Sequence, residues 1–419
     1  MAFLQLASKN PNFSYILKKN PSSGMLIKPC RKGRLFAWYT NPGVYNIYFR
    51  DSDMEVSYSR DDFEYMDATR YNAPTFLINA FAEFLNHMKK TDDKDIIGYE
   101  NVLMINQIKC KPTSLDRFKS HFLDLGYEFK FEEVAFHNFR IEIKTKNTIR
   151  ELINLGQVLA IFNSLLNNDL EYVSDEDIVK YIGCIHAVDS PYYIRHLFKL
   201  YFLGNEKNFN KYKKLLEESE KTKMEFEFGS TIVQRMSAIK KLLDFKSHII
   251  DIGCGEGEYV REFAPKLKEN LEYIAIDTDP ERIEIVKRLC ERKKIENVAM
   301  WSSVDEFISL GSFHDNSNIL MTEVVEHMSK DDAGILINKV LGLAFRSLII
   351  TTPNKEFNIN YQLLEDDTRD DDHKIEMVGK EFRTWIEELA GRHGCKTRFF
   401  EIGDCVDGLK PTLAVIIEK

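Results

Sequence analysis

Ser247-His248-Ile249-Ile250-Asp251-Ile252-Gly253-Cys254-Gly255-Glu256-Gly257-Glu258 reads as a strand running into a glycine-rich turn. His248 to Ile252 is a short apolar run carrying Asp251, and glycines follow at alternate positions, 253, 255 and 257. Glycine has no Cβ and accepts positive φ, so such a turn lets backbone approach a ligand closely. Tyr259 to Leu267 reads as the helix that follows, and Tyr273-Ile274-Ala275-Ile276 as a second strand closed by Asp277. A carboxylate at that strand end, roughly 20 or more positions after the loop, can accept both ribose hydroxyls of a nucleoside cofactor. Strand, glycine turn, helix and strand in this order predict an α/β domain.

The Gly-x-Gly-x-Gly spacing differs from the dinucleotide pattern Gly-x-Gly-x-x-Gly. Glu256 and Glu258 would repel a pyrophosphate and tolerate a cationic sulfonium with an amino-acid tail. Asp-x-Gly-x-Gly-x-Gly followed by strand and Asp resembles motifs I and II of class I S-adenosylmethionine-dependent methyltransferases. The resemblance implies that Asp251, Gly253, Gly255, Gly257 and Asp277 hold that cofactor. Asp305, after Ser302-Ser303-Val304, falls where the third strand of such folds contacts the adenine, although an exposed acid would read the same way. Thr322, with Met321, would line the methionine tail.

A second constellation follows in Glu323-Val324-Val325-Glu326-His327-Met328. If a helix begins there, Glu323, Glu326 and His327 project from one face. These are three ligands for a divalent metal, and His373, in Asp370-Asp371-Asp372-His373, is a candidate fourth. Oxygen mixed with imidazole suits Mg²⁺, Mn²⁺ or Co²⁺ better than a structural zinc. The same residues also fit an ordinary helix start, where the dipole favours acids. Asn354 and Asn358 occupy a Thr-Thr-Pro-Asn loop after the strand Leu348 to Thr351; they are candidates for RNA contact, and Pro353-Asn354 is equally good turn chemistry.

Together these stretches resemble the 3′-terminal RNA ribose 2′-O-methyltransferases, the small-RNA-stabilising enzymes of plants and animals and their bacterial RNA-repair relatives. The glycine loop, Glu323 to His327, Thr351 to Asn358, and Asp372 to Glu376 leading into Glu381-Phe382-x-x-Trp385 carry the likeness. It implies that Glu323, Glu326, His327 and His373 hold a catalytic Mn²⁺ or Mg²⁺, with S-adenosylmethionine as methyl donor and the 2′-OH of an RNA 3′ end as acceptor. A metal gripping both terminal hydroxyls would make the enzyme end-specific without reading a base. Two departures stand out. Where the family has Arg-His-x-Asp-His and then an aromatic-Glu-Trp, this chain has Arg369-Asp370-Asp371-Asp372-His373 and Ile375-Glu376-Met377. They put in doubt what those side chains do for the terminal nucleotide.

The 419 residues, 44% hydrophobic and 12% aromatic, suffice for two or three domains. The absence of an 18-residue apolar run, and an opening Met1-Ala2-Phe3-Leu4-Gln5 without a charged n-region, predict no membrane association. Seven cysteines without a Cys-x-x-Cys pair fit reduced thiols and a cytoplasmic setting. A net charge of −9 argues against an extensive duplex footprint, and no DNA partner is expected. The cluster Lys287, Arg288, Arg292, Lys293 and Lys294 reads as a solvated helix face or a small phosphate patch.

Residues 1–145 read as a mixed α+β subdomain, 146–225 as mainly helical and 226–419 as the methyltransferase domain. Strands are expected at Tyr45 to Phe49, Glu55 to Tyr58, Asn101 to Lys109 and within Glu128 to Lys144. Helices are expected at Pro74 to Met88, Thr148 to Leu166, Asp175 to Val188, Pro191 to Leu203 and Asn208 to Glu220. The charged run Lys214 to Lys223, followed by Gly229, marks the boundary. Asn10 to Pro21, Arg70 to Leu77 and Arg195 to Tyr201 are similar to the bacterial branch. That resemblance implies a polynucleotide kinase-phosphatase-ligase partner, switched on by the N-terminal half, and cleaved tRNA as one candidate RNA. Arg70 and Arg195 read by themselves as surface or interface charges. Two other functions share these features: a small-molecule or protein methyltransferase, marked by indifference to metal, and a mainly non-enzymatic ligase activator, marked by activity in the N-terminal half alone.

Overall fold

Alternation of apolar and polar side chains builds the first of two compact units, Met1–Lys221 and Thr222–Lys419, so that the chain divides within the charged run. The computed structural model describes residues 3–30, 33–51, 80, 92–167, 174–310, 316–363 and 367–419. The expected strand Glu55 to Tyr58, nearly all of the expected helix Pro74 to Met88, and Arg70 lie outside them.

In the first unit, β1 (Phe3–Ser8), β2 (Leu26–Cys30), β3 (Gly33–Asn41), β4 (Val44–Asp51), β5 (Asn101–Lys109), β6 (Tyr127–Ala135) and β7 (Asn138–Thr145) form one sheet of order β2-β3-β4-β1-β5-β7-β6. Neighbouring strands are antiparallel throughout. Along β7 every second residue is buried, the pattern of a sheet with one covered face. Short helices α1 (Phe13–Leu17) and α2 (Pro112–Ser120) accompany the strands.

The cover is α3 (Ile149–Asn167), which packs on β5 and against α4 (Asp175–Ala187) and α5 (Tyr192–Phe202). By length and composition α3 could cross a membrane, yet most of it is buried inside this unit. Leu152, Ile153, Leu155, Val158, Leu159, Phe162 and Leu165 are each at most 2% exposed, and burying one such side chain contributes about 1.5–3 kcal/mol. A reciprocal Ser174–Asp177 capping box starts α4, and α6 (Glu206–Glu217) follows α5.

Arg195 corrects a sequence expectation. It is not a surface charge but is completely buried in α5, where Nε donates to Ser190 O, Nη1 to Leu216 O and Glu218 O, and Nη2 pairs with Asp189. One guanidinium thus ties the start of α5 to the end of α6. Arg195→Ala would leave those acceptors bare and should cost about 3–5 kcal/mol. Urea unfolding would measure the loss, and hydrogen exchange should confine it to the first unit.

The second unit opens with β8 (Met224–Glu225) and α7 (Thr231–Leu242), then alternates strand and helix: β9 (Ile249–Ile252), α8 (Glu258–Phe263), β10 (Tyr273–Ile276), α9 (Pro280–Lys293), β11 (Val298–Trp301), α10 (Val304–Leu310), β12 (Asn318–Thr322), α11 (Lys330–Leu341) and β13 (Ser347–Pro353). It closes with α12 (Gly379–Arg392), β14 (Lys396–Ile402), β15 (Cys405–Val406) and β16 (Thr412–Glu418). β15 pairs with β8. The main sheet has the order β11-β10-β9-β12-β13-β16-β14, parallel through β13, with β16 antiparallel between β13 and β14. Strands β9, β10, β12 and β13 are buried along their whole length, as strands covered on both faces must be. Strand order reverses between β9 and β12, and open α/β sheets bind ligands at the carboxyl ends beside that switch point. The α/β class expected from the glycine loop is the fold found.

Candidate active site

The glycine loop leaves β9 at this switch point. Gly253 has φ +74°, and a Cβ there would sit 2.5 Å from Cγ2 of Val324; Gly255 has φ +53°, and a Cβ there would meet open space. The loop is therefore packed against the protein on one side and open on the other, as a cofactor cradle requires. Asp277, at the end of β10, takes the N–H of Gly255 at 2.9 Å through Oδ2 and that of Asp279 at 3.0 Å through Oδ1. It holds the loop in shape from a partly exposed position. Glu256 is ion-paired with Arg282 of α9, so the loop carries less free negative charge than its sequence suggests.

Asp251 is wholly buried within β9, with Tyr273 Oη donating to Oδ2 at 2.7 Å and Oδ1 without a partner. Burial pushes its pKa up to about 7. Thr322 is buried at the end of β12. Asp305 lies in the first turn of α10, 74% exposed and 2.5 Å from Nζ of Lys339. Its charge is spent on a surface ion pair.

The metal motif is not the helix start expected. β12 ends at Thr322, Glu323 turns through φ +55°, and Val325–His327 form a single 3₁₀ turn. This turn still gathers Glu326, His327 and His373, whose ligand atoms all lie within 4.8 Å of one another. Glu323 falls outside that group: Oε2 pairs with Arg235 Nη1 at 2.8 Å and Oε1 accepts from Thr351 Oγ1 at 2.9 Å.

Glu326 is completely buried, accepts from Thr352 Oγ1 at 3.0 Å through Oε2 and leaves Oε1 unpartnered. Burial first, and then repulsion from Glu323, hold its pKa well above the carboxylate range. Its backbone oxygen accepts from the N–H groups of Lys374, at 2.7 Å, and Ile375, at 3.2 Å, which brings His373 alongside. His373 Nδ1 lies 2.7 Å from Glu376 Oε1, and His327 Nδ1 lies 3.1 Å from Asp372 Oδ2. With those nitrogens protonated, each ring keeps Nε2 as a lone-pair donor atom. A bare buried carboxylate oxygen beside two imidazoles fits a divalent cation.

Asn354 and Asn358 do not face an RNA. Both are buried; Asn354 donates to Lys410 O and accepts from Glu356 N, while Asn358 donates to Glu376 and accepts from Arg369 Nε. Arg369 also donates to the carbonyls of Pro411 and Asn354. This network fixes Glu376, and through it His373. At the two family departures, Met377 packs in the hydrophobic core and Asp370 is exposed. Sequence reasoning passed over Arg235, Thr352, Asp372 and Glu376 as site residues. Asp372 and Glu376 had a local signal, one position before and three positions after His373.

A doubly wound sheet with a glycine loop at its switch point and an antiparallel β16 beside β13 defines a class I S-adenosylmethionine-dependent methyltransferase domain, and a methyltransferase-domain model matches residues 243–344. The model of the Hen1 N-terminal domain matches residues 3–221, more than half of the chain. The chain belongs to the Hen1 family. It is similar to the small RNA 2′-O-methyltransferase of Caenorhabditis elegans, 33% identical over an alignment of 188 positions that covers 38% of this chain and 41% of that protein. The Arabidopsis thaliana small RNA 2′-O-methyltransferase is 27% identical over 178 residues, 38% of this chain and 19% of the relative. The chain thus spans about two fifths of the first and one fifth of the second. Over its full length it resembles a chain of the solved Pnkp1/Rnl/Hen1 RNA repair complex, with TM-score 0.82, 25% identity and 100% of both chains covered.

Asp251 makes stability depend on pH. Its folded pKa, about 7, lies above its ordinary 3.8, so the folded chain binds the proton more tightly and stability falls as pH rises between those values. Asp251→Asn should unfold at higher urea than the parent near pH 7 and at equal urea near pH 4. Gly253→Ala meets both Val324 and an unfavourable φ; it should lose about 1–3 kcal/mol and bind S-adenosylhomocysteine more weakly by calorimetry.

Proposed function

We propose that the second unit transfers the methyl group of S-adenosylmethionine to the 2′-OH of a 3′-terminal RNA ribose, with Mn²⁺ or Mg²⁺. We propose further that the chain acts in RNA repair beside a polynucleotide kinase-phosphatase-ligase, served by the first unit. The observation that carries the reading is the unpartnered Oε1 of buried Glu326 between His327 and His373. Such a cluster suits an acceptor hydroxyl that a cation must activate. Membership of the family, and the full-length likeness to a chain of an RNA repair complex, support the acceptor and the partner.

Glu326, His327 and His373 would hold the cation, which when bound lowers the pKa of a ribose hydroxyl and orients it. The chain's own residues supply rigidity. Thr352 fixes the Glu326 carboxylate, Glu376 the His373 ring and Asp372 the His327 ring. The glycine loop and Asp277 hold the nucleoside end of the donor, so that the acceptor oxygen lies in line with the methyl–sulfur bond. As the oxygen–carbon bond forms, the carbon–sulfur bond breaks, S-adenosylhomocysteine leaves and the hydroxyl proton is released. That proton is released to solvent, because the His327 ring, with Nδ1 against Asp372 and Nε2 toward the cation, would have no nitrogen left to accept it.

The test is methyl transfer from labelled S-adenosylmethionine to short RNAs ending in a 2′,3′-diol, a 3′-phosphate or a 2′-deoxyribose, with Mn²⁺ or with EDTA. Transfer to the diol alone, abolished by EDTA and yielding periodate-resistant ends, is the expected result; equal transfer to the deoxy end would refute the acceptor. Glu326→Gln should lower kcat/KM roughly 10²–10³-fold, with S-adenosylhomocysteine affinity measured without metal unchanged. The same variant should still stimulate RNA sealing by the partner.

A further inference from the structure

Glu323, the carboxylate that the resemblance assigns to the metal, is engaged elsewhere. Arg235 holds it at 2.8 Å, with the two side chains 11% and 20% exposed. The guanidinium is not fully used, because its Nε is buried and lacks a partner. A buried donor left open in this way is a site for an acceptor that a ligand brings.

The surroundings of Arg235 indicate which ligand. It stands on α7 and holds Glu323, which directly follows Thr322 at the end of β12, and Val324, next in that turn, packs against Gly253 of the glycine loop. Arg235 therefore reaches the strand end beside the glycine loop, at the switch point where such sheets bind ligands. The chemistry that would satisfy it is an amino-acid carboxylate, and the cofactor's own tail carries one. Glu323 meanwhile is adjacent to the metal cluster through the turn Glu323 to His327, with its two oxygens spent on Arg235 and Thr351. An arginine and a divalent cation at one carboxylate repel each other, so Glu323 cannot serve both well.

We infer that Arg235 couples the two ligand sites: the α-carboxylate of S-adenosylmethionine takes over its guanidinium, and Glu323, released, turns to the metal as a further ligand. This rests on the function proposed above. It makes binding of the two ligands cooperative, and the cooperativity is reciprocal by linkage.

Calorimetric titration of Mn²⁺ into the full-length protein tests this, alone, with saturating S-adenosylhomocysteine, and with 5′-methylthioadenosine, the same nucleoside without the amino-acid tail. S-adenosylhomocysteine should tighten Mn²⁺ binding by roughly fivefold or more, and methylthioadenosine should leave it unchanged. Arg235→Gln should bind Mn²⁺ more tightly than the parent without cofactor, bind S-adenosylhomocysteine more weakly and lose the coupling. A merely structural arginine would weaken both ligands together. Equal Mn²⁺ affinity with and without S-adenosylhomocysteine overturns the coupling while leaving the metal site standing; no Mn²⁺ binding in any state overturns both. Equal tightening by methylthioadenosine also overturns it, and that comparison needs only the parent protein should the variant not fold.

Discussion

Everything at the carboxyl edge of the second sheet is arranged around one buried carboxylate. Glu326 has no exposed surface, one oxygen satisfied by Thr352 and one without a partner among the described residues. Burying an ionised carboxylate without a full set of donors is costly, and its raised pKa records that cost. The fold holds it there through the main chain. Parallel pairing of Thr322 with Thr351 delivers the two strand ends side by side, and the backbone oxygen of Glu326 then captures Lys374 and Ile375. His373 is 47 positions away in sequence (373 − 326 = 47), yet its place beside Glu326 is set by two backbone hydrogen bonds.

Around that centre the protein invests in stiffness. Arg369 joins three loops through Asn358, Asn354 and Pro411, with its guanidinium over the Tyr361 ring. Asn358 passes the constraint to Glu376, and Glu376 to His373. A network of this kind holds the His373 ring in one place, as any catalytic constellation requires. The first unit uses the same device for another end: Arg195 stabilises helix packing where no chemistry is in view.

Much of this was legible in the sequence because period and spacing are local properties. The strands at Asn101 to Lys109 and Tyr273 to Ile276, the helix at Asp175, the glycine loop and the proximity of Glu326 to His327 could all be read from short windows. What escaped was set by contacts distant in the chain. Arg235 precedes Glu323 by 88 positions, and no window contains both. A helical spacing placed Glu323 with Glu326 and His327, whereas the positive φ at Glu323 turns its carboxylate to Arg235. Asn354 and Asn358 looked like loop amides free for a ligand, because sequence reports residue type but not whether buried carbonyls nearby need a donor. Asp305 was misread for the opposite reason: its partner, Lys339, sits on a helix of its own.

The contact between Gly253 and Val324 has an evolutionary consequence. The glycine loop and the turn that carries Glu326 and His327 touch there with no room for even one methyl group. Neither surface can be remodelled alone, since a larger residue in one displaces the other. Descendants of this chain can trade substrates by changing loops at the rim, but the two halves of the site must be inherited together or lost together.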